Sequence, residues 1–288
     1  MSSFSADWLE RREPHDRKAR NPAVLEALRR CFAQETSVTI VDLACGTGST
    51  LRALSGLLPR HQHWRLVDND LGLLARAKGA AEAMAGGPRV TVTAVDLARD
   101  IETALDGPID LVATSAFLDL VSQDWLERLV TEVAVRRLPF YAALSYDGRV
   151  TLDPADDADA TIVSAFNRHQ STDKGFGPAL GPAAVGELVR RFDRLGYEVV
   201  QGLSDWVIGA RDPIFGDVVA SLAGAARELV GVPQATIDAW VRRRTGLAMV
   251  GRSTIRIGHR DVFARPTGTS GASGVAGPTG SAGPTGRR

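Results

Sequence analysis

The sequence is poor in the features that mark several functional classes. It holds only two cysteines, Cys31 and Cys45, among 288 residues. Two thiols, one of them inside a glycine loop, build neither a disulfide framework nor a cysteine-based metal site. No charge of either sign predominates, since Lys+Arg and Asp+Glu are both 34. A balanced chain lacks the basic excess that non-specific binding to nucleic acid or anionic membrane favours. No window approaches the roughly 18 uninterrupted apolar residues of a membrane span. The segment from Met1 to Glu13 is acidic early and has no apolar run, unlike a secretory signal. The expectation is a cytoplasmic protein with reduced thiols. Five histidines, of which only His61 and His63 lie close together, suggest no metal site.

What is present is ordinary globular material, 44% apolar and 24% charged, enough for one large domain or two small ones. The last residues differ. From Gly268 to Arg288 glycine recurs at every third position. A collagen triple helix needs that spacing, but seven triplets with two prolines are too few to hold three chains together. Residues 267–288 are therefore expected to be a disordered tail.

Between residues 37 and 266, strand-like apolar runs alternate with helical periodicity, the pattern of a parallel sheet covered on both faces. Seven strands are expected: Ser37–Leu43, Trp64–Val67, Val90–Val95, Ile109–Thr114, Phe140–Ser145, Glu198–Leu203 and Thr254–Ala264. Helices are expected over Thr50–Leu58, Leu71–Met84, Asp124–Arg137, Pro182–Leu195, Asp217–Val230 and Gln234–Arg244. Residues 1–36 read as an N-terminal helical cap in which Pro14 and Pro22 each start a helix. The expected fold class is α/β, a doubly wound, mostly parallel seven-stranded sheet of Rossmann type with helical insertions.

The first strand runs into Asp42-Leu43-Ala44-Cys45-Gly46-Thr47-Gly48 and then a helix. Small residues let the backbone approach a ligand, and the following helix offers free amides. A dinucleotide fingerprint requires a third glycine where Leu51 stands, and Asp42 would repel a pyrophosphate. A carboxylate there suits a ligand that carries an ammonium group. The second strand ends in Asp68, 20 residues beyond Gly48, where two acceptor oxygens can hold both ribose hydroxyls.

These residues resemble motif I and the following acidic strand end of the class I S-adenosylmethionine-dependent methyltransferases, with Ala44 in place of the usual first glycine. Alanine suits that position if its φ stays negative. The resemblance runs in order and spacing from about Val38 to Ala264. It implies that S-adenosyl-L-methionine is bound by Asp42, Ala44, Cys45, Gly46, Gly48, Asp68 and Asn69. By the same resemblance Asp96 accepts from the adenine amino group with Leu97 beside it, and Ser115 lies near the transferable methyl. The plainer alternative for each acid is a helix N-cap.

Methyl transfer demands alignment and desolvation above all, and a general base only if the acceptor arrives protonated. The candidates follow the fourth and fifth strands. Asp119 lies just beyond the expected methyl position, with a helix cap or salt bridge as its alternative. Tyr146 ends the fifth strand ahead of Asp147-Gly148, a β-turn signature. His169 lies in Phe166–Pro182, a polar glycine-rich segment expected as a loop or lid, and its near-neutral pKa makes it the leading base. In the cap, His15 with Arg12, Arg17 and Arg20 suits an anionic substrate or simply a solvated helix face.

The expected activity is methyl transfer to a small-molecule acceptor, with neither nucleic acid nor membrane as partner. The chain lacks the Asn/Asp-Pro-Pro-Tyr/Phe motif of enzymes that methylate flipped DNA bases. Two alternatives stay open, a nicotinamide-dependent oxidoreductase and a cofactor-binding scaffold without turnover.

Overall fold

A computed structural model of the chain describes residues 5–84 and 86–267. The repetitive segment from Gly268 to Arg288 lies outside the described residues. Two helices open the chain, α1 (Ala6–Ala19) and α2 (Pro22–Cys31). Then follow β1 (Ser37–Leu43), α3 (Ser49–Leu54), β2 (His61–Asp68), α4 (Leu71–Glu82), β3 (Arg89–Ala94), α5 (Ile101–Ala104) and β4 (Leu111–Ser115). A 3-10 turn at Leu118–Leu120 leads into α6 (Gln123–Val135), β5 (Phe140–Asp153) and α7 (Asp159–Gln170). The chain closes with α8 (Ala184–Arg194), β6 (Tyr197–Leu203), β7 (Trp206–Gly209), α9 (Phe215–Glu228), α10 (Gln234–Met249) and β8 (Thr254–Pro266).

The sheet order is β3-β2-β1-β4-β5-β8-β6, with β7 added to β8. β1 to β5 are parallel, and β8 runs antiparallel to β5, β6 and β7. β1 is buried on both faces, as a central parallel strand should be. Val41, Leu43, Val112 and Phe140 pack under α6 and α8, while Ile40, Trp64, Leu66 and Ala113 pack against α2, α3 and α4. The pairings Leu43↔Val67, Asp68↔Ala94 and Leu43↔Thr114 bring the carboxyl ends of four strands to one edge. Strand order reverses between β2-β1 and β1-β4, and the crevice of a doubly wound sheet opens at that point.

A third apolar cluster stands apart from the other two. It joins the outer half of β5 and β7 to α7, α9 and α10 through Leu152, Ile162, Trp206, Leu222, Ile237 and Trp240. The fully buried Trp240 donates its indole N–H to Asp159 Oδ1 at 2.7 Å. Arg244, also fully buried, pairs with Asp159 and donates to the Pro154 carbonyl at 2.6 Å.

The structure corrects several expectations in this region. The sheet has eight strands rather than seven, because β7 is only four residues long and is recruited by pairing with β8. Tyr146-Asp147-Gly148 is no turn: β5 continues to Asp153 against the equally long β8, with register shifts near these residues. A long partner strand overrides the local turn signal, and Gly148 with φ +87° takes up the irregularity. The segment expected as a loop from Phe166 begins inside α7. Pro14 lies inside α1 rather than at a helix start. Contacts distant in sequence hold that helix: Arg52 pairs with Glu13, and Trp206 donates to Asp16 at 3.1 Å.

Candidate functional site

The loop after β1 lines a cavity of about 560 Å³ at the strand ends. Its backbone turns through left-handed conformations at Ala44 (φ +51°), Gly46 (+54°) and Gly48 (+83°). The negative φ expected for Ala44 is not found, so this alanine carries strain that glycine would not. A side chain at Gly46 would press on Leu9 of α1, its Cβ 3.1 Å from Leu9 Cδ1.

Asp68 faces the cavity and shapes it. Its Oδ2 accepts from the Gly46 N–H at 2.9 Å, and its Oδ1 accepts from the Asp70 N–H at 3.0 Å. The N-cap of α4 is Asp70, which accepts from Gly72 and Leu73. Asp68 therefore has a different place from the capping role that was its alternative. Asn69 lines the same wall. At the far end Asp96 lies between Val95 and Leu97, all three lining the cavity. Its Oδ1 accepts from the Ala98 N–H at 3.1 Å. Cys45 and Ser115 also line the cavity, and Ser115 Oγ accepts from Arg20 at 3.4 Å. Burial, then the nearby Asp42 and Asp68 carboxylates, push the Cys45 thiol up, so it remains protonated.

Asp42 lies behind the loop, fully buried and away from the cavity lining. Neither carboxylate oxygen has a hydrogen-bond partner among the described residues. Burial lifts its pKa to about 7, against the opposing pull of the Arg20 guanidinium. Arg20 is itself buried and donates to Tyr141 Oη at 2.9 Å.

A second cavity of about 530 Å³ adjoins the first. Both are lined by Arg12, Ala116, Leu120 and Lys174. The three catalytic candidates Asp119, Tyr146 and His169, from three separate elements, all line the second cavity. Asp119 is buried and Oδ1 has no hydrogen-bond partner; burial raises its pKa to about 6. Tyr146 donates to Asn167 Oδ1 at 2.6 Å, and burial pushes the phenol up, so it stays protonated. His169 sits in the last turn of α7 with both ring nitrogens engaged. Nε2 is 2.9 Å from a Glu228 carboxylate oxygen, and Nδ1 is 3.3 Å from Lys174 Nζ.

The N-terminal cap and the segment expected as a loop or lid both reach these cavities. Leu9, Arg12 and Asp16 of α1 and Phe176 of the segment after α7 reach the first cavity. Trp8, Trp206 and His259 reach the second. His15 Nε2 lies 3.1 Å from Asp212 Oδ1, and Arg12 pairs with Asp16 at 3.0 Å. A polar helix face gave no sign of those partners. A more open groove of about 790 Å³ along β5 and α7 touches none of the predicted site residues.

Residues 40–137, from β1 through α6, match the family model of a methyltransferase domain. This part of the chain is a methyltransferase domain. Its sheet is also that of a cyclopropane-fatty-acyl-phospholipid synthase-like protein from Lactobacillus casei, with a TM-score of 0.51 and 16% identity. That comparison covers 88% of this chain and all of the other, and it shows the fold alone. A methyltransferase from Geobacter sulfurreducens, solved with S-adenosyl-L-homocysteine, has a TM-score of 0.45 and 15% identity over 92% of this chain and all of that one. No relative matches among curated proteins. The methyltransferase domain disfavours the nicotinamide alternative, as Leu51 in place of a third glycine already did.

Proposed function

We propose that the protein transfers the methyl group of S-adenosylmethionine to a small-molecule acceptor held in the second cavity. The observation that carries this reading is the joining of two cavities across Arg12, Ala116, Leu120 and Lys174. The donor set of the first cavity fits the cofactor. Asp68 offers carboxylate oxygens to ribose hydroxyls and Asp96 offers one to an amino group, while Val95, Leu97, Leu71 and Leu73 supply apolar walls. Ala44, Gly46 and Gly48 bring the backbone close, and Asn69, Cys45 and Ser115 complete the lining. Asp42 acts from behind the loop, as a buried negative charge that favours the cofactor's ammonium end.

When bound, the cofactor supplies an electrophilic methyl on a sulfonium, so the protein's share is alignment and exclusion of water. α1 covers the junction from above, with Glu13 and Asp16 anchoring it. For a protonated acceptor, Asp119 is the best-placed base: it is buried, has a free oxygen and a pKa of about 6. His169, held by Glu228 and Lys174, lines the same cavity in this reading. Residues 1–36 serve as a cap, residues 37–266 as the methyltransferase domain and residues 267–288 as a tail.

A cytoplasmic setting, without nucleic acid or membrane partner, is supported by the balanced charge and the free thiols of Cys31 and Cys45. Among the described residues no helix is long and apolar enough to cross a membrane. The test is incubation with methyl-labelled S-adenosylmethionine and a small-molecule cell extract. Label should appear in a low-mass product together with S-adenosylhomocysteine. Retention of NADH but not of S-adenosylmethionine would overturn the reading.

A further inference from the structure

Three buried polar atoms on the lining of the second cavity have no hydrogen-bond partner among the described residues; one of them, Asp217 Oδ2, is ion-paired with Arg11 at 2.8 Å, which leaves two. Asp119 Oδ1 and His259 Nδ1 have no hydrogen-bond partner, and each side chain is 6% exposed and lines the cavity. Burial and the nearby Arg12 charge hold the imidazole neutral, with a pKa of about 3. We assign the single ring proton to Nε2, which leaves the unpartnered Nδ1 as a bare acceptor. An ionised Asp119 accepts as well. Two acceptors therefore await a group rich in N–H or O–H bonds.

The surrounding charges choose between a cation and an anion. Arg12 is near enough to favour an ionised Asp119, but its guanidinium is bound twice to Asp16, at 3.0 and 3.2 Å. Lys174 is engaged with His169 and with Thr172 Oγ1 at 3.0 Å. Of the other carboxylates on the wall, Glu228 meets His169, and Asp217 meets Arg11 at 2.8 Å. Trp8 and Phe166 add ring surfaces beside Leu222 and Ile257, while the Trp206 ring already carries the Arg12 guanidinium, 4.8 Å from its centroid. Aromatic faces attract cations and repel anions.

We propose that the methyl acceptor is an organic amine with an aromatic or apolar body, its nitrogen donating to Asp119 and His259. This rests on the two-cavity reading above and names the substrate class for it. The bound ammonium gives a proton to the Asp119 carboxylate, which frees the nitrogen lone pair. That pair forms the new N–C bond as the C–S bond breaks and its electrons return to sulfur. The products are an N-methylated ammonium, S-adenosylhomocysteine and one proton, passed from Asp119 to water.

The experiment is a calorimetric titration of the full chain, first with S-adenosylhomocysteine. The saturated protein is then titrated with tryptamine, indole-3-ethanol and indole-3-acetate, which share a body and differ in the terminal group. Tryptamine should bind at least tenfold tighter than the alcohol, and the acid weakest of all. In Asp119→Asn, which keeps the size of the side chain, that preference should vanish while S-adenosylhomocysteine affinity stays unchanged. Undetectable tryptamine binding, tighter binding of the acid, or an unaltered preference in the variant overturns the amine assignment alone. Failure to bind S-adenosylhomocysteine overturns the proposed function and this inference with it.

Discussion

The two cavities of this protein are built in different ways. The first is built chiefly from loops that directly follow β1, β2, β3 and β4, so strand register brings most of its residues together, with a few added from α1 and the segment after α7. The second gathers side chains from α1, the turn at Leu118–Leu120, β5, α7, α9 and β8, which meet only when the third apolar cluster has formed. The first site is backbone placed by a sheet, and the second is side chains placed by packing. One scaffold can thus keep its methyl donor while packing changes decide which acceptor fits.

The largest effect that would sharpen this contrast is expected at Trp240. Trp240→Ala removes a fully buried indole and leaves Asp159 Oδ1 without its donor, a loss of about 3–5 kcal/mol. Hydrogen exchange should accelerate in α7, α9, α10 and β7, while β1, β2 and β4 keep their protection. Uniform acceleration across the sheet would mean that the two regions are one cooperative unit.

A smaller effect of opposite sign is expected at Asp42, in the first region. Its folded pKa of about 7 lies above the ordinary 3.8, so the folded state holds its proton more tightly than the unfolded chain. The stability contributed by that proton is complete below about pH 4 and is lost as pH rises through about 7. Asp42→Asn should therefore be more stable than wild type by about 2–4 kcal/mol at pH 8, with the difference closing toward pH 4. Its affinity for S-adenosylhomocysteine should fall, because a site residue held at a cost to stability is held for binding. Thermal melts at the two pH values, each paired with a titration, check both statements.

The smallest effect belongs to the loop itself. Ala44→Gly relieves a left-handed alanine, and the gain is partly offset by the greater freedom of glycine in the unfolded chain. A net stabilisation of about 0.5 kcal/mol is expected by denaturant titration, with cofactor affinity unchanged. Destabilisation would show that the loop has another source of strain.

The same contrast governs what could be read from the sequence. β1 is found at Ser37–Leu43 as expected, five further strands lie within a few residues of their expected places, and β5 starts at Phe140 as expected, because the central strands, buried on two faces, read as continuous apolar runs. Asp68, Asn69, Asp96 and Leu97, which line the first cavity, could be named from the sequence because each lies at or just past the end of a strand. β7 was not, since four residues carry too little pattern and its existence depends on β8. The extension of β5 past Asp147-Gly148 hid behind a local turn signal. His259 gave no sign at all: its importance arises from losing water and from which elements close over it. Asp119, Tyr146 and His169 could be named one at a time, but their arrival at one cavity is a property of packing.

The claim beneath all of this is that the first cavity holds the methyl donor through Asp68. Calorimetric titration of S-adenosylhomocysteine into wild type and Asp68→Ala tests it most directly. Removing the carboxylate, with its bonds to the loop and to ribose, should weaken binding by roughly ten- to a hundredfold, or about 1.5–3 kcal/mol. Equal affinity in a folded variant would contradict the account.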